Sequence, residues 1–147
     1  MKRDLDLVRQ LLLQIEALPA GPPAQYRTSE IEDPVLLAHF ELVIGAGLVN
    51  GKIARSLGAR GDVISISGLT WEGHEWIEMM RSQAVWNETK ATLLEGAGAL
   101  TYELTRAVAA KILRARLRLG DGSPESSAET AIVKHERAGW DSNPRDP

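Results

Sequence analysis

The segment from Ala46 to Gly73 constrains the fold more than any other part of this chain. It opens on Ala46-Gly47-Leu48-Val49, continues through two strand-like stretches, and closes on Leu69-Thr70-Trp71-Glu72-Gly73. Glycine readily adopts the left-handed conformation that ends a helix, and threonine caps the start of one. The segment therefore predicts a helix that ends at Gly47, a β-hairpin, and a new helix that begins after Thr70.

Two helices are predicted before the hairpin. Apolar residues recur at helical spacing from Leu5 to Ile15, which predicts a helix over residues 3–18. Asp33-Pro34 then begins a second helix, because aspartate is a good N-cap and proline is tolerated in the first turn. Residues 25–27 between the two helices are expected to form a short edge strand.

The hairpin is predicted from strands at residues 48–57 and 63–67, with residues 58–62 as the loop, or wing, between them. Ile64 and Ile66 alternate with serines, the pattern of a strand with one buried face.

Helical spacing continues after the hairpin. Thr70 is expected to begin a long third helix that the glycines at 96–98 end, with Trp76, Met80 and Ala84 pointing inward. A last helix is predicted over residues 100–119, where the apolar stripe consists of Leu104, Val108, Ile112, Ala115 and Leu119.

This order of elements indicates an α+β fold, a winged helix-turn-helix with a C-terminal helical extension and a disordered tail. The predicted domains are a winged-helix domain at residues 1–95, an appended amphipathic basic helix at 96–119 and a flexible acidic tail at 120–147.

Composition narrows the classes of function. The chain has no cysteine, which excludes disulfides and thiolate metal sites. It has no signal-peptide pattern and no apolar run near the roughly 18 residues that a membrane span requires, so a cytoplasmic location without membrane contact is expected. Residues 1–95 carry nine basic against thirteen acidic residues, whereas residues 96–119 carry five against one. An acidic core disfavours DNA, whose phosphates dominate non-specific affinity.

The helix at residues 34–46 occupies the position of a recognition helix, but it offers His39 and Glu41 and no basic side chain. Base edges are usually contacted by Arg, Lys, Asn or Gln. The helix is therefore either inserted in a DNA groove or packed inside a scaffold that binds protein.

Five basic residues are the tentative DNA-binding set. Basic residues of the wing can bind DNA phosphates. Cations on an exposed hairpin also protect edge strands from aggregation. The last helix carries further cations on one face, which could face DNA, an acidic partner or solvent. The set consists of Lys52, Arg55, Arg60, Arg114 and Arg118.

Catalytic and metal sites are not predicted. His74 and Glu78 lie one helical turn apart, but a zinc-protease helix needs a second histidine where Glu78 stands. A solvated polar face explains these residues, and Trp71 and Trp76 are expected to be core or shell aromatics. No cofactor and no enzymatic activity are expected.

Four strings of residues resemble a known family. They are Met1-Lys2-Arg3-Asp4-Leu5-Asp6-Leu7-Val8-Arg9, Ala46-Gly47-Leu48-Val49, Leu69-Thr70-Trp71-Glu72-Gly73-His74-Glu75-Trp76 and Val85-Trp86-Asn87-Glu88-Thr89-Lys90. Together they are similar to small bacterial and prophage-associated proteins that form a domain-of-unknown-function family. The resemblance implies a layout like that of winged-helix regulators and assigns no residue a catalytic or binding role.

Two functions are therefore expected. The first is a DNA-associated, transcription-regulator-like protein of bacterial or prophage origin. The second is a non-enzymatic protein-interaction or dimerisation module on the same scaffold, with a second copy or another protein as the partner.

Overall fold

The computed structural model describes the backbone of residues 1–120 and the side chains of residues 1–118. Within that range the chain is α+β, with five α-helices and three β-strands. In chain order these are α1 (Leu5–Glu16), β1 (Ala24–Arg27), α2 (Pro34–Gly45), β2 (Val49–Ala54), β3 (Val63–Leu69), α3 (Trp71–Met80), α4 (Gln83–Gly96) and α5 (Tyr102–Gly120). A 3₁₀ turn over Thr28–Glu30 follows β1.

The described part of the chain divides after Ala109 into a first compact unit, Met1–Ala109, and a second unit that begins at Ala110. The part of the predicted tail that follows Gly120 lies outside the described residues. The domain boundaries expected near residues 95 and 119 stay predictions. None of the described helices combines the length and apolarity needed to cross a membrane.

The three strands form one antiparallel sheet with β3 in its centre, in the order β1-β3-β2. Ile64 of β3 pairs with Tyr26 of β1 on one side and with Ile53 of β2 on the other. Ile64 and Ile66 are buried and Ser67 is exposed, which confirms the predicted alternation. The short edge strand is also confirmed, and β2 is four residues shorter than expected.

The end of α2 and the start of α3 meet at Leu48. Gly47 adopts a φ of 76°, and the Leu48 amide donates to the Val43 carbonyl across the turn at 3.1 Å. The Thr70 hydroxyl accepts from the Gly73 amide at 3.0 Å and donates to the Gly47 carbonyl at 2.6 Å. A Cβ on Gly73 would overlap the Leu48 carbonyl oxygen. The predicted glycine turn and threonine cap are therefore confirmed, and Gly73 permits their close approach.

The predicted long third helix is wrong, because the chain forms two helices, α3 and α4, with two residues between them. The Ser82 hydroxyl accepts from the Val85 amide at 3.3 Å and so caps α4. Arg9 of α1 donates its Nε to the Met80 carbonyl at 2.6 Å and its Nη2 to the Arg81 carbonyl at 2.9 Å. These two carbonyls therefore bind a side chain instead of continuing the helix.

The break changes which residues of α4 face the core. Val85 and Trp86 are buried, and Ala84, which was expected to point inward, is exposed. The Trp86 ring packs edge-to-face on Trp76, with centroids 5.9 Å apart. The two tryptophans form the centre of the core of the first unit, and both are fully buried.

The predicted apolar stripe on α5 is wrong at its first member. Leu104 is 39% exposed, whereas Thr105 and Ala109 are buried. Thr105 faces the core because its hydroxyl accepts a hydrogen bond of 3.3 Å from the Trp76 indole N–H. A buried tryptophan needs such an acceptor, and the small side chains let α5 approach it.

Polar contacts hold α1 at both ends. Asp6 accepts from the Trp86 indole at 2.7 Å and from Lys90 at 2.9 Å. Burial opposes ionisation of Asp6, but these hydrogen bonds outweigh it and lower the pKa of the carboxyl. At the other end, Glu16 accepts two bonds of 2.7 Å from Arg81, and this hydrogen bonding lowers the pKa of Glu16.

Candidate functional site

Helix α2 is the candidate site, and its sequence accounts for both of its ends. Asp33 caps it, with Oδ1 accepting from the Val35 amide at 2.9 Å, and Pro34 occupies the first turn. The Schellman turn at Gly47 ends it, because only glycine adopts that φ without strain. The capping pair predicted from the sequence is confirmed.

The surface of α2 is apolar on every side. Its twelve residues include one acidic residue, Glu41, and no lysine or arginine, and only three residues are buried: His39, Phe40 and Val43. A helix that is hydrophobic all round is normally enclosed by protein. Here Val35 remains 42% exposed and Leu42 remains 39% exposed.

Exposed and half-buried apolar residues follow one line along α2 and its C-cap. Val35, Ala38, Leu42 and Ala46 are separated by three or four residues, the spacing that brings side chains onto one face. Large and small side chains alternate along this line. We refer to these four residues as the α2 stripe. The sequence analysis missed the α2 stripe, although the scarcity of charge in this helix was a visible signal.

An open cavity of about 130 Å³ adjoins the C-terminal half of the α2 stripe. Leu42 and Ala46 lie on its wall beside apolar residues of α1, and Arg3 and Glu72 also line it. Its full lining is Arg3, Leu5, Val8, Leu42, Val43, Ala46, Leu48, Glu72 and Tyr102. Burial, together with the hydrogen bond to Glu72, raises the pKa of Tyr102 to about 12, so the phenol is neutral over the physiological range.

Trp71 does not belong to the core or to its shell, contrary to the expectation, because it is 82% exposed. It is the first residue of α3, and the inward direction of that helix is taken by Trp76. Since the Thr70 hydroxyl donates to the Gly47 carbonyl, Trp71 stands near the C-terminal end of α2. It extends the exposed apolar surface there.

The sequence placed His39 on the candidate recognition helix, but its side chain does not face solvent. The side chain is fully buried, with Nε2 accepting from the Asp4 amide at 2.9 Å and Nδ1 donating to the Val35 carbonyl at 2.7 Å. His39 therefore joins α2 to the start of α1. Glu41 alone remains exposed as a polar group of this helix.

The three basic residues expected at the wing have different surroundings. Arg55 donates to Asp62 at 2.8 Å and lies 3.5 Å from Glu41, and the hydrogen bond with Asp62 raises the pKa of Arg55. Lys52 and Arg60 are exposed, and neither forms an ion pair with the described side chains. The positive charge of Arg55 is thus largely compensated within the fold.

Arg114 and Arg118 lie on the part of α5 that belongs to the second unit, and both are exposed. Their proposed part in a DNA-binding set stays a prediction.

The polar residues of α3 form a solvated face, as expected. His74, Glu75 and Glu78 are all exposed, and Glu78 bonds Arg81 at 2.6 Å. Over the part of the chain that the structure describes, no three acidic or histidine side chains come close enough to hold a metal ion.

Comparison with known proteins places the chain in a family. Residues 2–99 match the family described as "Hypothetical protein (DUF2513)". An uncharacterized protein from Haemophilus influenzae is 30% identical over 121 residues, which cover 77% of this chain and 96% of that protein. No solved structure matches the chain. More than half of the chain lies within the family match, and the chain therefore belongs to the DUF2513 family.

Proposed function

We propose that the chain is a non-enzymatic protein-interaction module on a winged-helix scaffold, with α2 as the binding helix. The scaffold is supported by the order of α1, β1, 3₁₀ turn, α2 and the β2–β3 hairpin, and by the central position of β3. The 3₁₀ turn takes the place that the second helix has in a winged-helix domain. Fold analogy does not specify the ligand, so the argument for protein rests on α2 itself.

The observation that carries the proposal is the uncovered apolar surface of α2. Three of its twelve residues are buried, although ten of the twelve have side chains without an ionisable group. Contiguous exposed apolar surface on a soluble domain is characteristic of a contact site for another protein. Trp71, Leu42 and the adjoining cavity concentrate that surface at one end of the helix.

The same helix is poorly suited to reading DNA. Recognition requires hydrogen-bonding side chains at base edges and cations near phosphates. The segment before α2 is acidic, with Glu30, Glu32 and Asp33, and α2 itself adds Glu41. A groove lined with phosphates would repel this end of the molecule.

Photo-crosslinking in the native host tests the proposal. A photoreactive amino acid is introduced at Leu42, and a matched variant carries it at Leu94, which is 55% exposed on α4. We expect discrete protein adducts from the Leu42 position, identified by mass spectrometry, and few from the Leu94 position. Equal adduct patterns from both positions would contradict the proposal.

A second candidate function is DNA association through the hairpin. The observation in its favour is that Lys52 and Arg60 are exposed without ion pairs to the described side chains. A gel-shift titration against random duplex at two salt concentrations tests it. Binding that weakens with salt and is lost in Lys52→Ala/Arg60→Ala would support DNA association, and no shift at tens of micromolar protein would exclude it. The prophage association stays a prediction.

A further inference from the structure

We infer that the occupant of the α2 stripe is a second copy of this chain, with the two α2 helices packed antiparallel about a two-fold axis. The inference rests on the proposed function, because it names the partner of that same surface. It follows from three features of the surface: a knob and a hole at opposite ends of one helix, alternating side-chain size, and opposite charges at the two ends.

The knob is Val35 and the hole is the cavity beside Ala46. Val35 is 42% exposed at the start of α2, and the cavity of about 130 Å³ lies at the end of the same helix. The two are eleven residues apart, or about 16 Å along the helix axis. A two-fold axis between them places the Val35 side chain of each copy at the apolar cavity of the other, so both contacts form at once.

Side-chain size along the α2 stripe agrees with this arrangement. The order is large, small, large, small, at Val35, Ala38, Leu42 and Ala46. An antiparallel copy places each large side chain opposite a small one, with Leu42 against the second copy's Ala38. A parallel copy would place large against large and small against small, which leaves gaps and clashes.

Charges at the two ends are complementary in the antiparallel arrangement only. Arg3 and Glu72 both line the cavity at the C-terminal half of α2, but Glu72 is accompanied by Arg106 of its own chain at 3.5 Å. Glu32 is exposed just before the N-terminus of α2. Antiparallel packing brings each Arg3 near the second copy's Glu32. Glu41 lies near the axis in both copies, but each is accompanied by its own Arg55 at 3.5 Å.

Engineered cysteines test the register, since the chain contains no cysteine of its own. Val35→Cys and Ala46→Cys are purified separately, then incubated alone and mixed in a glutathione buffer. We expect disulfide-linked dimer in the mixture, roughly tenfold above either variant alone, because a disulfide needs Cα atoms about 4.4–6.8 Å apart. Efficient linkage of Val35→Cys with itself would overturn the antiparallel arrangement.

Sedimentation velocity tests the association without any cross-link. Two short helices bury less than a standard interface, so dimer is expected at roughly tens to hundreds of micromolar protein. Val35→Asp should weaken the dimer about tenfold or more, while Leu57→Asp, a change at a fully exposed leucine in the wing, should leave it unchanged. Circular dichroism confirms that both variants are folded.

A wild-type chain that stays monomeric up to about 500 micromolar would overturn the inference, since even weak interfaces associate at that concentration. The proposed function is judged separately, by the adducts formed from the Leu42 position. Adducts with a different protein would retain the proposed function and remove the second copy as the partner.

Discussion

Helices α1 and α2 have the same length but opposite relations to the rest of the molecule. Each has twelve residues, yet α1 buries six of them and α2 buries three. The apolar residues of α1 form one stripe that faces the core, with charged and polar residues elsewhere. The apolar residues of α2 surround the helix, so no single packing face can cover them.

The difference shows which helix surfaces are covered by the rest of the fold. Buried polar groups of α1 are bonded, and among the described residues no buried side-chain nitrogen or oxygen lacks a partner. The burial and hydrogen bonding of α1 are accounted for by residues of this chain alone. The apolar surface that α2 leaves exposed has no such explanation within the first unit, and it is the surface on which the proposed partner contact rests.

The largest expected effect comes from truncating one leucine in each helix. Leu12 of α1 is fully buried and Leu42 of α2 is 39% exposed. Leu12→Ala should lower the free energy of unfolding by about 2–5 kcal/mol, because it leaves a cavity. Leu42→Ala should cost less than about 1 kcal/mol. Urea denaturation at low protein concentration measures both, and equal losses would remove the contrast between the helices.

A smaller effect is expected from Arg9, the buried charge of α1. Its guanidinium donates to the Met80 and Arg81 carbonyls and to the Gln83 side chain. Arg9→Met should lower the free energy of unfolding by about 2–3 kcal/mol, since charged hydrogen bonds are lost and acceptors are left bare. Gln10→Met, at an exposed neighbour, is the control. Similar midpoints for the two variants would show that the α3–α4 break does not depend on Arg9.

The smallest effect concerns pH and belongs to the ends of α1. The pKa values of Asp6 and Glu16 are lowered in the folded chain, so their contribution to stability is present above about pH 4.5 and is lost as the pH falls through the folded values. The free energy of unfolding should therefore decrease from about pH 5 downward. Glu16→Gln should reduce this decrease by about 0.5 kcal/mol, and Glu75→Gln should leave it unchanged. A flat profile in wild type would contradict the assignment.

Local rules were sufficient for much of the fold. Asp33-Pro34, the turn at Gly47 and the cap at Thr70 are short-range features whose physical effect depends on neighbours in sequence. They were therefore visible before the structure. The α3–α4 break was not, because the Met80 and Arg81 carbonyls that leave the helix there are bound by Arg9, more than seventy residues away in the chain. The spacing of apolar residues carries no information about such a long-range contact.

The candidate site was harder to predict because burial of a helix face depends on the elements packed around it. The sequence placed His39 on the candidate recognition helix, and the Asp4 amide that provides it with a buried partner is brought there only by tertiary packing. Trp71 was expected to be enclosed because of its size, but the first position of α3 points it outward. Only the near absence of charge in α2 could have indicated the α2 stripe.

Thiol labelling in the native host is the most direct test that the α2 surface is covered. The chain lacks cysteine, so Leu42→Cys and Leu94→Cys each introduce a single reporter. A membrane-permeant thiol reagent is applied to cells and, separately, to dilute purified protein. We expect Leu42→Cys to be labelled several-fold more slowly than Leu94→Cys in cells, and the difference to disappear on dilution. Equal labelling of the two positions in cells would show that the surface of α2 has no partner there, and would contradict the account.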